Sequence, residues 1–500
     1  MSAQANLESL LGPAARGDGR PALVFQDGEQ SYADLCDAAG GLARRLEAAA
    51  GPLAGAPVAI VAPTSPALVV ALLAAWEAGA VAVPLSARLR EYELTQILAD
   101  AEPVAVVSVE AHAGFSFAPL LARLSSELPS LRAWLMVDAA GEVREERPTG
   151  EGSAPEPIGP EIGAILYTSG TTGAPKGALV PHACLLQEAR ALAEVIALDA
   201  QDVTALVIPA SHAFGLACLL AALGARSGAL LVDSALSLDP LLEGMERAGA
   251  TVLPGSPALF AGLLKARPEG VQGLRAGFVA GASCPPELIE RMDERGATIL
   301  NLYGMTEIGA AASCRPQDPP QARYTTVGRP LPGYEFRAVA GEIQVSGPYV
   351  TPGYHRAPEA TAAAFDGGWL RTGDLGEIDE GGRVRILGRA KEVLHVGGFN
   401  VFPAEIEGFL LTHPDVVQAA VVGVPHERMG EAPAAFVVAR PGSSLTPEQL
   451  RRFARGRIAG YKVPPAIEIV PEMPLLSSGK PDRQALLERA RGNAGEPAHA

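Results

Sequence analysis

The stretch ILYTSGTTGAPKGALVPH, Ile165 to His182, decides how this chain is read. An apolar strand ends at Tyr167, and eight of the ten residues from Thr168 to Gly177 are Gly, Ser, Thr or Pro. A second short strand, Ala178 to Val180, is predicted to follow and to lead into a helix. Such a loop exposes consecutive N–H groups and hydroxyls with no bulky side chain in the way, and Lys176 adds one cation. That combination suits the phosphates of a nucleotide. It departs from the pattern GxxxxGK[ST], because Gly177 follows Lys176 and the chain re-enters a strand instead of opening a helix. A flexible turn is the competing reading of any lone loop of this kind.

Outward from the loop, apolar runs of strand length alternate with helical stretches. Val58 to Ala62, Val81 to Pro84, Val104 to Val107, Ile162 to Tyr167, Thr204 to Ile208 and Leu274 to Val279 are predicted strands, and Ser65 to Ala78 a helix. Continuous apolar strands separated by helices indicate sheets covered on both faces, an α/β fold. A length of 500 residues suggests about three structural units. Hydrophobic residues make up 48% and charged residues 19%, enough apolar surface for large cores. The formal net charge of -16 argues against nucleic acid as a partner, since neutralising a polyanion needs a basic face. The five cysteines are scattered and form no CxxC pair, so each reads as a small buried hydrophobe. The segment Pro66 to Ala87 is the most membrane-like, but Glu77 and the helix stop at Gly79 make it a soluble helix and a buried strand. The first residues show no secretory pattern, which leaves the cytoplasm as the expected compartment.

The Pro-, Gly- and Glu-rich run Glu145 to Pro160 reads as an exposed connector. A sharper change comes at Gly388 to Lys391. Beyond it the pattern is a helix (Pro403 to Leu411), strands (Val416 to Val422, Pro433 to Val438) and a helix (Pro447 to Ile458) capped by Thr446. The expected organisation is a large N-terminal domain of several subdomains over 1–388, with helix-covered sheets. A hinge follows at 389–391, then a small mobile α+β domain over 392–490 and a flexible tail over 491–500.

Further segments carry chemistry in order along the chain: RPALVFQDGEQSYADL (Arg20 to Leu35), NLYGMTE (Asn301 to Glu307), WLRTGDL (Trp369 to Leu375), GRAKEVLHVGGFNVFPAEIE (Gly388 to Glu407) and LLSSGKPDRQAL (Leu475 to Leu486). Together with TSGTTGAPKG (Thr168 to Gly177), they resemble the signatures of the adenylate-forming superfamily: acyl-CoA synthetases, peptide-synthetase adenylation domains and firefly-type luciferases. The likeness is greatest to free-standing acyl- or aryl-CoA synthetases and covers nearly the whole chain.

The resemblance implies an enzyme that uses ATP and Mg²⁺ to convert a carboxylic acid to an acyl-adenylate, then passes the acyl group to coenzyme A. Thr168, Ser169, Gly170, Thr171, Thr172, Gly173 and Lys176 would hold the phosphates, with Thr172 and Glu307 near Mg²⁺ and Thr306 on the phosphates. Tyr303 would stack on adenine, flanked by Gly281 and Ala282, with Asn301 and Gly304 close by. Asp374 would accept bonds from the ribose hydroxyls, a task suited to a carboxylate. Arg389 would add a ribose or phosphate contact, or is a surface arginine beside the hinge. Lys480 would bridge the substrate carboxylate and the adenylate, offsetting negative charge as it develops. On residue type alone it is an exposed turn lysine. Gly397, Gly398 and Phe399 would line the thiol tunnel after the small domain turns about Lys391.

His212 matches a family position near the carboxylate, against a packed core histidine as the alternative. The acyl pocket is expected to include His212, Phe214, Val279, Gly304 and Met305. Ala210-Ser211 and Ser283-Cys284-Pro285 depart from common family patterns, which leaves the acid open. No carboxylate occurs from Ser211 to Gly224, which disfavours an α-amino acid, since its buried ammonium would lack a partner. An aliphatic or aromatic monocarboxylate fits better. The main alternative is a free-standing enzyme that loads an acyl carrier protein; the oligomeric state, monomer or homodimer, is not readable.

Overall fold

The structure, a computed structural model, describes residues 7–148, 155–168, 175–232, 238–396, 399–426, 429–455, 457–476 and 479–493. Among these, a seven-stranded sheet has Pro57–Ala62, Val81–Ser86, Ala105–Val109 and Ala133–Val137 in parallel. The hairpin Ile162–Thr168 and Lys176–Pro181 closes one edge. A nine-stranded sheet runs through Val203–Leu206, Val252–Gly255, Ala276–Val279 and Thr298–Met305. Its far edge is Pro21–Phe25, parallel to Gly228–Leu231, and Gly28–Ser31.

The helices Pro66–Glu77 and Ala213–Gly224 are apolar on every face and buried on nearly every residue. A helix hydrophobic all round belongs inside a large core, and both contribute to the main apolar cluster with strands of the two sheets. The membrane-like stretch is thus a core helix followed by the strand Val81–Ser86. Among the described residues no helix is long and apolar enough to cross a membrane. A five-stranded antiparallel sheet, Glu335–Val339 to Val384–Arg389, completes the large unit.

After the short turn Ala390–Glu392, the remaining chain builds its own sheet around Val416–His426 and Gly430–Ala439. It carries separate apolar clusters, one with Ile406 and Leu410 from the helix Pro403–Leu411, the other with Leu486 and Ala490. Thr446 caps Pro447–Ala454 reciprocally with Gln449.

The structure corrects three boundaries. Val143–Pro148 is an edge strand paired with Ala133–Val137, not part of a connector; its charged side chains suit an exposed sheet edge. The last helix, Arg483–Asn493, runs past Arg491, because Leu486 and Ala490 anchor it one turn apart. The helix from Pro447 stops at Ala454, short of Ile458.

Candidate active site

Side-chain contacts join the phosphate hairpin to the turn that carries Glu307, and the strand before that turn to Asp374. In the phosphate hairpin, Tyr167 lies opposite Gly177 and Thr168 opposite Lys176. The Lys176 ammonium sits 5.7 Å from the centre of the Tyr354 ring. Ser169, Gly170, Thr171, Thr172 and Gly173 lie outside the described residues.

The second segment is the turn between Thr298–Met305 and Gly309–Ser313, where Gly304 faces Ala310. The backbones approach so closely that a Cβ on Gly304 would lie 2.0 Å from the Gly309 carbonyl oxygen. Only glycine fits there, which explains the Tyr-Gly-Met order of the motif. Thr306 is half-buried at the turn. Glu307 is 7% exposed, and its Oε1 accepts a hydrogen bond from the Tyr354 hydroxyl at 2.7 Å. The Asn301 amide donates to the Arg323 carbonyl at 3.0 Å, so it holds the neighbouring helix Pro320–Thr325.

Tyr303 donates its hydroxyl to Asp374 Oδ2 at 2.6 Å, and its ring stands edge-on to Phe336. Asp374, 4% exposed, also pairs with Arg389 Nε at 2.9 Å. Arg389 in turn donates to the Thr372 carbonyl at 3.0 Å, and the Thr372 hydroxyl accepts from the Asp374 N–H. Burial pushes the Asp374 carboxyl above its usual range, against the pull of Arg389 and the Tyr303 phenol. Arg389 is thus fixed against Asp374, while its side chain remains 44% exposed.

His212 caps the helix Ala213–Gly224: its Nδ1 accepts from the Phe214 N–H at 3.3 Å. With Nδ1 an acceptor, the ring proton rests on Nε2. Burial, and then the charge of Lys480, lowers its pKa from 6.5 to about 4. The ring is neutral at pH 7 and the residue is half-buried. Phe214 and Met305 are half-buried, and Gly281 and Ala282 are exposed on the loop after Ala276–Val279. Val279 is a correction: it is 1% exposed and packs with Leu253, Phe260 and Ile289 in a core cluster, so it lines no cleft.

Lys480 comes from the small unit. Leu475 bridges Pro481, the Lys480 carbonyl accepts from the Leu476 N–H at 2.8 Å, and Gly479 takes a φ of 80°. This turn presents the side chain to the large unit, where Arg389, Asp374 and Glu307 act on its charge, as does Glu392 of the joining turn. Burial, and then the charge of Arg389, lowers its pKa against the pull of the carboxylates, although the residue as a whole is exposed. Ser477 and Ser478 lie outside the described residues, as do Gly397 and Gly398. Phe399, beyond those glycines, is 54% exposed and stacks on Tyr461 at 4.3 Å. Lys391 lies in the turn Ala390–Glu392 that joins the units.

Two residues carry no motif signal. Tyr354 joins Glu307 to Lys176, as described. Glu188, 2% exposed on the helix His182–Val195, accepts from the Ala310 N–H at 2.9 Å. Burial pushes its carboxyl up to about 8, so it is neutral at pH 7. A search confined to Ser211–Gly224 could not find it, because it reaches the turn from another helix.

The chain is similar to known proteins along nearly its whole length. The model of the "AMP-binding enzyme" family matches residues 13–355, and that of the "AMP-binding enzyme C-terminal domain" matches residues 405–480. A Mycobacterium tuberculosis protein, 3-[(3aS,4S,7aS)-7a-methyl-1,5-dioxo-octahydro-1H-inden-4-yl]propanoyl:CoA ligase, is 37% identical over 93% of this chain and 95% of its own. The feruloyl-CoA synthase of an Amycolatopsis species is 33% identical over 90% and 92%. Among solved structures, ATP-bound MatB from Rhodopseudomonas palustris superposes with a TM-score of 0.82 at 31% identity, covering 98% of this chain and 99% of that one. The anthranilate CoA ligase AuaEII in complex with anthranoyl-AMP gives a TM-score of 0.87 at 25% identity, covering 99% of both chains.

Proposed function

The chain belongs to the AMP-binding enzyme family, and from that premise we propose how its residues divide the work of an acid–CoA ligase. In the first half-reaction a carboxylate oxygen of the acid attacks the α-phosphorus of ATP, pyrophosphate leaves, and an acyl-adenylate forms. In the second, the thiol of coenzyme A attacks the acyl carbonyl, giving the thioester and releasing AMP.

The observation that carries the assignment is Lys480. The small unit delivers its ammonium into the field of Asp374 and Glu307, close enough to His212 to lower that imidazole's pKa. There it offsets the charge that builds as carboxylate meets phosphate, electrostatic stabilisation that needs no proton transfer. His212, neutral with its proton on Nε2, donates a hydrogen bond without adding a second cation beside Lys480. Asp374, held by Tyr303 and Arg389, receives the ribose hydroxyls, and Tyr303 borders the adenine. Thr168, Thr306 and Lys176 receive the phosphates.

Among the described residues no three His, Cys, Asp or Glu side chains cluster. Glu307, a single buried carboxylate tied to the phosphate hairpin through Tyr354, suits Mg²⁺, an ion commonly held by one or two carboxylates together with substrate phosphates. When bound, Mg²⁺ neutralises charge on the departing pyrophosphate. Half-buried Phe214 and Met305, with Gly304 and His212, form the acid's wall. An aliphatic or aromatic monocarboxylate matches that lining, and the relatives named for a ring-bearing propanoate and for ferulate support it. Coenzyme A, the acceptor named for those relatives, is favoured over a carrier protein. Its thiol reaches the adenylate past Gly397, Gly398 and Phe399 once the small unit turns about Lys391.

The test is pyrophosphate release over a panel of aliphatic, aromatic and dicarboxylic acids, with and without coenzyme A. Lys480→Ala should slow adenylate formation by on the order of a hundredfold or more, the scale of removing one preorganised charge stabiliser. Transfer from a supplied acyl-adenylate should be largely kept. A Lys480→Ala enzyme that adenylates normally but transfers poorly would overturn the assignment.

A further inference from the structure

The segment Thr351–His355 runs across the site without belonging to any motif read from the sequence. Its backbone is stitched to both neighbours. The Thr351 N–H donates to the Glu307 carbonyl at 2.7 Å, and the Thr351 hydroxyl donates to the Leu179 carbonyl at 2.7 Å. The Leu179 N–H donates to the Gly353 carbonyl, the His355 N–H to the Gly177 carbonyl, and Tyr354 bridges Ala178. One short strap thus ties the phosphate hairpin to the turn that carries Glu307.

At the centre of the strap, the Tyr354 side chain reaches both charges. Its hydroxyl donates to Glu307 Oε1 at 2.7 Å, while its ring lies 5.7 Å from the Lys176 ammonium. The Tyr354 N–H is fixed by the Thr361 hydroxyl at 2.9 Å, so the ring has a firm base. The phenol is the donor in that bond, because an ionised carboxylate can only accept. A phenol donating to a carboxylate fixes the carboxylate's rotamer by a charge-assisted bond. An aromatic face beneath an ammonium restrains the cation as well.

We propose that Tyr354 is a positioning residue for adenylation: it fixes the Glu307 carboxylate and the Lys176 ammonium relative to each other, so that ion and phosphates meet a preset pair. The proposal rests on the roles given above to Lys176 and Glu307. The tyrosine touches neither acid nor thiol, and its effect is confined to the first half-reaction. The bridge also explains a spacing: 47 residues separate Tyr354 from Glu307 in the chain, yet the strap brings both to the hairpin.

The experiment compares Tyr354→Phe and Tyr354→Leu with the unaltered full-length protein. Loss of one hydrogen bond to a charged group should raise the half-saturating Mg²⁺ concentration of Tyr354→Phe by roughly tenfold. Mn²⁺ binding with a non-hydrolysable ATP analogue, followed by electron paramagnetic resonance, should weaken by a similar factor. Thioester formation from a supplied acyl-adenylate, and the melting temperature, should stay as in the wild type. Tyr354→Leu, which also loses the ring under Lys176, should raise the KM for ATP further. If Tyr354→Phe binds Mn²⁺·analogue like the wild type, the proposal is wrong. It is equally wrong if both half-reactions fall in proportion with a lower melting temperature, the mark of a packing role. Should the wild type release no pyrophosphate with any acid, the ligase reading fails instead, and the Mn²⁺ titration still reports on Tyr354.

Discussion

Acidification should uncover His212. An unfolded histidine titrates near 6.5, whereas burial and Lys480 lower the pKa of folded His212 to about 4. Because the folded value is depressed, the native state favours the neutral ring, and stability is lost as pH falls from 6.5 toward 4. At pH 5 the unfolded chain carries the proton almost fully and the folded ring hardly at all, a difference of about 2 kcal/mol. The comparison is with His212→Asn, since asparagine is among the best residues at a helix N-cap and preserves that duty. Urea unfolding of the large unit at pH 8 and pH 5 should cost the wild type about 2 kcal/mol more than the variant. The same ring sets a kinetic expectation: adenylation should show no limb near pH 6.5 that the variant lacks. Equal pH dependence of stability in the two proteins, or such a limb, would refute a neutral His212.

Other outcomes follow from the contacts around the site. Tyr303→Phe removes the donor to Asp374 and should raise the KM for ATP by about tenfold or more, most strongly at mildly acid pH as the carboxyl protonates more readily; calorimetric binding of AMP checks it. Gly304→Ala would press a Cβ into the Gly309 carbonyl and should all but abolish pyrophosphate exchange, while a normal rate would show that the turn yields. Glu188 has its pKa raised by burial to about 8, so its neutral form is the one that favours folding; the contribution is full below about 4.5 and is lost as pH rises through 8. Glu188→Gln should therefore flatten the stability profile between pH 5 and 8, read by thermal melting. Gly398→Val should slow thioester formation and leave pyrophosphate exchange intact, since the proposed tunnel serves only the second step.

Much of this architecture was legible because its signals are local. The parallel strands announce themselves as unbroken apolar runs, and Thr446 followed by Pro447 marks a helix start within a few residues. Asp374, Arg389 and Lys480 each stand in a segment that carries the family resemblance, although residue type alone reads Lys480 as a turn lysine and Arg389 as a surface residue. What escaped is non-local or hidden by composition. Val143–Pro148 looks like a linker since its charges face outward from a sheet edge. Val279 stands in a stretch that resembles the family's acid-binding wall, yet alternation along its strand turns it into the core. Tyr354 and Glu188 act across folds of the chain that no spacing rule connects. The Arg323 carbonyl that engages Asn301 is likewise invisible before the helix Pro320–Thr325 is in place.

The edge of the nine-stranded sheet bears on how the protein is made. Pro21–Phe25 leaves the ribosome early and finds Gly28–Ser31 at once, yet its parallel neighbour is Gly228–Leu231, with Leu23 beside Ala229. Until about two hundred further residues have been translated, a nascent hairpin stands with one side open, and closing so long a loop is slow. The late arrival brings its own fasteners: Arg226 pairs with Asp18 and lies over the Tyr32 ring, while the Tyr32 hydroxyl donates to the Ser227 carbonyl at 2.7 Å. Through that interval the growing chain carries an unsatisfied edge at which chaperones can act and neighbouring chains can stick.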